Sequence, residues 1–245
     1  LSAKNSDEHL CLIAPTGSGK TTGFCVPTIL TLSQEPCSII ATDPSGELFD
    51  ITSGYMAQQG FKIKTLNLDQ PHLSSQYNPL ELANSFAEID KLANIIIRSN
   101  TPVAKGDDIW YSAPAALLSV FIRSLKRTNT PEWNNLANVL HLISNWDCSP
   151  ENPKSLIRNF IATYAQDDPS IANQFKGFLA SNDRMVSSFI TMAADALKLL
   201  NNPEIASMTA RNEFNFGDFR DQRTIVYLIV PETDAKLYQF ILNAF

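Results

Sequence analysis

The sequence is poor in the residues that build metal centres and disulfide frameworks. It has three histidines and four cysteines in 245 residues, with no C-x-x-C pair and no histidine at zinc-ligand spacing from a cysteine. A structural zinc site and a disulfide-stapled fold are therefore not expected. We assign no role to the histidines, and we expect reduced, mostly buried thiols at Cys11, Cys25, Cys37 and Cys148.

Long apolar runs and an excess of positive charge are also missing. Without a run of about 18 apolar residues or a signal-peptide pattern, the segment is expected neither to span a membrane nor to carry a targeting signal, which is typical of a cytoplasmic segment. The net charge of −6 gives no overall attraction for nucleic acid, so a DNA contact would need a local patch or a channel formed by several subunits. Because the chain begins at Leu1 and stops within an apolar run at Phe245, we expect it to be a piece of a larger protein.

The most specific feature that is present is a glycine-bearing turn directly after a short apolar run. Residues 10–23 read LCLIAPTGSGKTTG, and Gly19, Lys20 and Thr21 fall in register with the template G-x-x-x-x-G-K-[ST] of phosphate-binding loops. Ala14 replaces the first glycine of that template. An ordinary turn between a strand and a helix would not explain a lysine at the crowded start of the helix, so the pattern predicts a nucleotide-binding loop.

This loop predicts a site for ATP and Mg²⁺. Consecutive backbone N–H groups in the turn can point at one anion, and the following helix adds the positive end of its dipole. Lys20 would reach the β- and γ-phosphates, Thr21 would offer its hydroxyl to Mg²⁺, and Thr22 would lie near the α-phosphate. The candidate cofactor-binding residues are Pro15, Thr16, Gly17, Ser18, Gly19, Lys20, Thr21 and Thr22.

Residues 10–68 alternate between strand and helix patterns. This β-α-β-α-β order predicts a parallel sheet with right-handed crossovers, in which the phosphate loop and Asp43 meet at the carboxyl edge. The predicted elements are a strand at 10–13, a helix at 21–32 kinked by Pro27, a strand at 37–42, a helix at 48–60 and a strand at 61–68.

The pattern becomes helical from about residue 85 to residue 210, and a continuous apolar strand, TIVYLIV, follows at 224–230. These patterns predict an α/β fold of the P-loop NTPase class, with a RecA-like parallel sheet and an inserted all-α domain. The expected division is a nucleotide-binding domain at 1–84, the helical domain at 85–210, and the continued nucleotide-binding domain at 211–245.

Two acidic residues follow the second predicted strand in the segment Asp43-Pro44-Ser45-Gly46-Glu47. At the carboxyl edge, Asp43 and Glu47 could meet a Mg²⁺-bound water or the γ-phosphate. An Asp-Pro start followed by Ser-Gly is equally typical of a turn and a helix cap, so both interpretations stay open.

Four motifs together resemble those of the conjugative coupling proteins of type IV secretion, the TraG/TraD kind of hexameric pumping ATPase. In order along the chain they are APTGSGKTTG with its helix reaching Pro27-Thr28, the strand end DPSGE, the segment Tyr77-Asn78-Pro79-Leu80, and the late strand YLIVPE. The resemblance covers almost the whole chain. One departure is Ser45, where many members of that family carry lysine and others serine.

The resemblance implies a cytoplasmic domain of a bacterial inner-membrane protein that forms a homo-hexamer. It implies delivery of relaxase-bound DNA or secreted proteins to the type IV secretion channel, with Lys20, Thr21, Asp43 and Glu47 as candidate catalytic residues. It also implies that the Walker B strand lies just beyond Phe245, so this stretch is expected to bind nucleotide without the acids that polarise the attacking water. A neighbouring subunit would supply an arginine, for which Arg184, Arg211, Arg220 and Arg223 are available.

Two other functions are weighed against this one. Residues 14–21 also match motif I of superfamily 2 helicases, but that class needs a D-E-x-[DH] strand end, and the only Asp-Glu pair is Asp7-Glu8, ahead of the loop. The second alternative is a non-hydrolysing, nucleotide-gated module that docks substrates.

Several residues outside the loop have two interpretations each. Glu232 follows an apolar strand as a Walker B acid would, but Pro231 stands where the first carboxylate should, which favours a neighbouring strand. A basic helix end and an aromatic pair in the helical region could touch DNA or a partner. We expect Arg123, Lys126 and Arg127 to form a solvated face, and the tryptophan of the pair Trp110 and Tyr111 to be buried.

Overall fold

The computed structural model of the chain describes residues 10–15, 17–100, 108–148, 152, 154–165, 167–217 and 219–245. Within these residues, β1 (Ile39–Thr42), β2 (Lys62–Asn67) and β3 (Thr224–Ile229) form a parallel sheet in the order β1-β3-β2. The register pairs Ile40 with Val226 and Ile63 with Ile225. β3 lies in the centre and is covered on both faces, which explains its unbroken apolar sequence.

One face of the sheet is covered by two helices that follow the phosphate loop and β1. They are α1 (Val26–Leu32) and α2 (Glu47–Gln58), and a π-helical turn, Thr21–Cys25, directly precedes α1. Pro27 has no N–H to close an α-helical hydrogen bond, and the wide turn before it is where the helix departs from regular geometry. A core that includes Val26, Met56 and Tyr227 fills the space between these helices and the sheet.

The helical part of the chain packs on the opposite face. Its core is continuous with the sheet, because buried Leu66 and Val226 belong to the same apolar cluster as Phe121 and Leu197. The helices are α3 (Pro79–Leu82), α4 (Phe86–Asn100), α5 (Ile109–Lys126), α6 (Leu136–Ser144), α7 (Leu156–Ala165), α8 (Pro169–Ala180), α9 (Asp183–Leu197), α10 (Pro203–Met208) and α11 (Gln239–Ala244), with short 3-10 turns at Pro71–Leu73, Pro131–Trp133 and Lys198–Asn201.

The prediction of an α/β P-loop fold with a parallel sheet is confirmed, but its first strand is wrong. Residues 10–13 form no strand with any described part of the chain. Leu10, Leu12 and Ile13 are 60%, 49% and 91% exposed. A strand requires backbone groups on a neighbour, and an apolar sequence without such a neighbour does not adopt one. The division at residues 84 and 210 stays a prediction.

Two other expectations bear on the surface of the molecule. In the residues that the structure describes, no helix combines the length and apolar character needed to cross a bilayer. The thiols are free, but only Cys148 is buried, while Cys25 and Cys37 are half-buried and Cys11 is exposed. The expectation of mostly buried cysteines is therefore wrong for Cys11, which lies in the exposed segment before the loop.

Candidate nucleotide-binding site

The phosphate loop has the backbone conformation that its glycines permit. Gly17 and Gly19 both adopt left-handed conformations, with φ of +78° and +80°. A Cβ atom built on Gly17 would meet nothing within 4 Å, so the backbone conformation and not crowding calls for glycine there. The turn is closed by a hydrogen bond of 3.3 Å from the Ser18 N–H to the Pro15 carbonyl oxygen. Thr16, also predicted to bind phosphate, lies outside the described residues.

Lys20 stands where the loop becomes helical, and its side chain folds back over the loop. Its Nζ donates hydrogen bonds to the carbonyl oxygens of Ala14, at 2.6 Å, and Pro15, at 2.7 Å. The flexible lysine stem holds the ammonium beside the backbone that would surround a phosphate. A phosphate oxygen is a stronger, charged acceptor than a carbonyl, so the same ammonium can exchange these partners for a nucleotide.

The residues after Lys20 fit a magnesium nucleotide. Thr21 is half-buried at the start of the π-helical turn, and its hydroxyl is the kind of oxygen ligand that Mg²⁺ prefers. Thr22 is exposed, and its hydroxyl lies 3.5 Å from the carbonyl oxygen of Gly19. In the described part of the chain no cluster of acidic, histidine and cysteine side chains could hold a metal by itself. The Thr21 hydroxyl could hold Mg²⁺ together with phosphate oxygens and water.

Asp43 and Glu47 flank the start of α2 but differ in accessibility. Asp43 is 2% exposed, and its Oδ2 accepts a hydrogen bond of 2.9 Å from the backbone N–H of Phe49. This contact caps α2, as one of the two interpretations expected. Glu47 is the first residue of α2 and is exposed, so it is the acidic side chain of the motif that solvent and ligands can reach.

A buried pair of hydroxyl groups that the sequence analysis did not predict lies near Asp43. The hydroxyl of Tyr227 on β3 is 2.7 Å from that of Thr52 on α2, and Thr52 also donates to the Leu48 carbonyl oxygen. Burial raises the pKa of Tyr227, the hydrogen bond with Thr52 opposes that rise, and the Asp43 charge adds to it. The signal was available, because a tyrosine within an apolar central strand needs a hydrogen-bond partner in the core.

The basic helix end is not a solvated face throughout. Arg123 is 5% exposed and donates to Ser170 Oγ at 3.1 Å and to Gln174 Oε1, so the prediction is wrong for this residue. Lys126 donates to the Leu80 carbonyl oxygen at 2.7 Å. The reason is that α8 packs against α5 on this side and supplies polar partners for a buried guanidinium.

Of the aromatic pair and the acidic residue after β3, Trp110 differs from expectation, whereas the role of Glu232 stays open. Trp110 is 39% exposed and contacts Phe189 edge-on, so the expectation that it is buried is wrong, whereas Tyr111 is 6% exposed. Glu232 is exposed three residues after the end of β3, at the same carboxyl edge as Asp43.

Of the four candidate arginines, Arg223 is held in place by contacts within the chain. Arg223 donates to the carbonyl oxygens of Ser33, at 2.8 Å, and Gln59, and its guanidinium lies 4.7 Å from the centre of the Phe61 ring. These contacts tie the ends of α1 and α2 to the start of β3. Arg184, Arg211 and Arg220 are exposed.

Comparison with known proteins agrees with the motifs. The family model described as "Type IV secretory system Conjugative DNA transfer" matches residues 1–245. Protein VirD4 of Agrobacterium fabrum is 28% identical over 238 residues, which cover 94% of this chain and 33% of VirD4. The conjugal transfer protein TraG of Escherichia coli is 25% identical over 251 residues, which cover 95% of this chain and 38% of TraG. The chain thus spans about a third of the length of these relatives.

The fold is similar to that of a solved coupling protein. The conjugative coupling protein TrwB, in a trigonal crystal form with sulphate, matches with a TM-score of 0.61 and 14% identity, covering 94% of this chain and 49% of TrwB. TrwB in complex with ADP and Mg²⁺ matches with a TM-score of 0.57 at the same identity. The resemblance drawn from four motifs is confirmed, and the chain belongs to the type IV secretory system conjugative DNA transfer family, that of the conjugative coupling proteins.

Proposed function

We propose that this chain is the ATP-binding part of a coupling protein that recruits DNA with its relaxase, or secreted proteins, and moves them to a type IV secretion channel. The observation that carries the proposal is the left-handed pair Gly17 and Gly19, followed by Lys20 at the helix start, in a chain that the family model matches throughout. TrwB structures with ADP and Mg²⁺, and with an ATP analogue, support nucleotide binding in this fold.

In this proposal the loop binds the phosphates and Lys20 provides the neutralising charge. The backbone N–H groups of residues 17–22 surround the phosphates, and Lys20 moves its ammonium from the carbonyl oxygens of Ala14 and Pro15 to the β- and γ-phosphate oxygens. Thr21 offers a ligand to Mg²⁺, which supplies charge neutralisation on the phosphates when it is bound. Thr22 lies beside the α-phosphate.

Hydrolysis is assigned to the full-length hexamer, anchored at the inner membrane. Asp43 is committed to the cap of α2, and Glu47 is the accessible acidic residue in the same motif. An arginine from a neighbouring subunit would complete the site, as phosphoryl transfer requires stabilisation of charge in the transition state. Among the candidate arginines, the hydrogen bonds of Arg223 to Ser33 and Gln59 argue against this role for it.

The test compares Lys20→Ala with Lys176→Ala in the full-length protein. Lys176 is exposed on α8, so its substitution removes the same charge away from the loop. We expect Lys20→Ala to abolish Mg·ATP binding in calorimetry and cargo transfer in a conjugation assay, and Lys176→Ala to retain both.

The two measurements test the loop and the motor separately. Retained Mg·ATP binding by Lys20→Ala would overturn the assignment of the loop. Lost binding with retained transfer would overturn the motor and would also exclude nucleotide gating of that transfer.

A further inference from the structure

The chain enters and leaves the helical region at one place, where the two crossing segments are hydrogen-bonded to each other. Residues 76–78 precede α3, and residues 207–213 run from the end of α10 towards β3; we call the two segments together the clasp. The Tyr77 N–H donates to the Met208 carbonyl oxygen at 2.9 Å, and the Glu213 N–H donates to the Gln76 carbonyl oxygen at 2.9 Å. The Gln76 N–H in turn donates to Glu213 Oε2 at 3.0 Å.

Asn78 joins the clasp to a third segment. Its Nδ2 donates to the carbonyl oxygens of Asn134, at 2.7 Å, and Ala210, at 3.3 Å, which lie 56 and 132 residues further along the chain. Its Oδ1 accepts from the Leu80 N–H at 3.0 Å and caps α3. Asn78 is fully buried, so these partners replace the water that its amide would otherwise bind.

The contacts require an asparagine at this position. A short side chain with one acceptor and two donors in one plane is needed to cap α3 and reach both carbonyl oxygens, and asparagine has that set. Aspartate has no donor when ionised, and serine has a single donor on a shorter stem. The Asn-Pro-Leu segment therefore does more than start a helix, because it fixes α3 to the loop before α6 and to the end of α10.

A hinge between the sheet and the helical region would have to bend at these crossings. Bending there would separate the buried Asn78 amide from its acceptors and the Tyr77 N–H from the Met208 carbonyl oxygen, and each lost hydrogen bond is unfavourable. We infer that Asn78 is a positioning residue that locks the two crossing segments of the clasp together, so that the helical region and the sheet move as one body when nucleotide binds. The inference rests on the proposed function only for the nucleotide, since the lock itself is present without it.

The test measures a distance across the clasp in the full-length protein. Spin labels are placed at Gln58 on α2 and Lys176 on α8, both exposed, with the exposed Cys11 replaced by serine. Labelled subunits are diluted in unlabelled protein and studied by pulsed electron paramagnetic resonance. We expect one narrow distance, unchanged by the non-hydrolysable analogue ADPNP with Mg²⁺.

Asn78→Ser and Asn135→Ser form a matched pair of variants. Both serines retain an oxygen for the N-cap, of α3 and α6 respectively, but among the described residues the side-chain amide of Asn135 donates to Glu132 alone, three residues away. We expect Asn78→Ser to lose the single narrow distance and to exchange the Tyr77 amide hydrogen about tenfold faster or more. Asn135→Ser is expected to retain both.

Each outcome decides the inference. A wild-type distance that shifts with ADPNP, or a single narrow distance in Asn78→Ser, would overturn it. If Asn78→Ser does not fold, the wild-type comparison with and without ADPNP still decides. If ADPNP does not bind, the proposed function fails, and the comparison of the two serine variants without nucleotide still tests the lock.

Discussion

The carboxylate of Asp43, directly after β1, accepts a hydrogen bond of 2.9 Å from the backbone N–H of Phe49 in the first turn of α2. The Asp43 N–H also donates to the Leu228 carbonyl oxygen, so the residue joins α2 to the central strand. We expect Asp43→Ala to lower the free energy of unfolding by about 1–2 kcal/mol, since it removes a buried cap. Urea unfolding of the purified protein measures this loss.

The conservative variant Asp43→Asn separates a role of Asp43 in capping α2 from a role in ATP hydrolysis. Asparagine caps helices as well as aspartate does, so Asp43→Asn should be close to wild type in stability. Glu47→Ala, an exposed change in the same turn, should stay within about 0.5 kcal/mol. Full stability in Asp43→Ala would contradict the cap, whereas a stable Asp43→Asn that loses ATP turnover would assign the carboxylate to the reaction.

Two glycine-to-alanine changes are predicted to have opposite effects. Gly19 has a φ of +80°, where a side chain is strained, so Gly19→Ala should destabilise the protein by roughly 1–2 kcal/mol and weaken Mg·ATP binding. Gly54 lies in α2 with nothing within 4 Å of an added Cβ, so Gly54→Ala should stabilise it by about 0.5–1 kcal/mol. Urea unfolding and calorimetry on both variants give the comparison. Equal stability of the two would show that the loop is not left-handed at Gly19.

Local sequence patterns predicted the sheet because its strands carry their signal within a few residues. The predicted strands at 37–42, 61–68 and 224–230 are observed as Ile39–Thr42, Lys62–Asn67 and Thr224–Ile229. Residues 10–13 carry the same kind of apolar signal and form no strand, since pairing depends on a neighbour that the segment itself does not specify.

The predictions that missed the contacts of individual side chains failed for a similar reason. Arg123 was placed on a solvated face because its neighbours at the helix end are also basic, while its partners Ser170 and Gln174 lie 47 and 51 residues away on α8. Asn78 was recognised only as part of a family motif, because the carbonyl oxygens that its amide binds follow far along the chain. The phosphate loop was readable because its function depends on consecutive residues.

Removal of the buried arginine is expected to be much more harmful than removal of its exposed neighbour. Arg123 holds Ser170 and Gln174, and its guanidinium lies 5.2 Å from the centre of the Phe86 ring. Arg123→Ala should lower the free energy of unfolding by about 2–3 kcal/mol, because it leaves partners unpaired and removes packing. Thermal and urea unfolding are the measurements.

Arg127→Ala is the matched control for that change. The Arg127 side chain is 43% exposed, donates to the Tyr164 carbonyl oxygen at 3.1 Å and lies 3.6 Å from Asp168. Exposed ion pairs contribute little, so the expected loss is at most about 1 kcal/mol. Similar losses for the two arginines would contradict the different burial of their side chains.

Alkaline pH should destabilise the protein partly through Tyr77. Burial raises the pKa of Tyr77 well above its ordinary range, and the Tyr77 hydroxyl donates to the Ala244 carbonyl oxygen. The folded state therefore keeps this proton where the unfolded chain, with a tyrosine pKa of about 10, releases it. Its contribution to stability is complete below about pH 10 and is lost progressively as the pH rises above that value.

Tyr77→Phe should remove this part of the pH dependence. At neutral pH the variant should lose about 1 kcal/mol with the hydrogen bond, and above about pH 10 its stability should fall less steeply than that of the wild type. Some alkaline loss should remain, because burial also raises the pKa values of Tyr227 and Tyr238. Urea unfolding across this pH range, with the exposed Tyr55→Phe as control, measures the slopes. Parallel curves for Tyr77→Phe and the wild type would show that the Tyr77 phenol titrates alike in the folded and unfolded states.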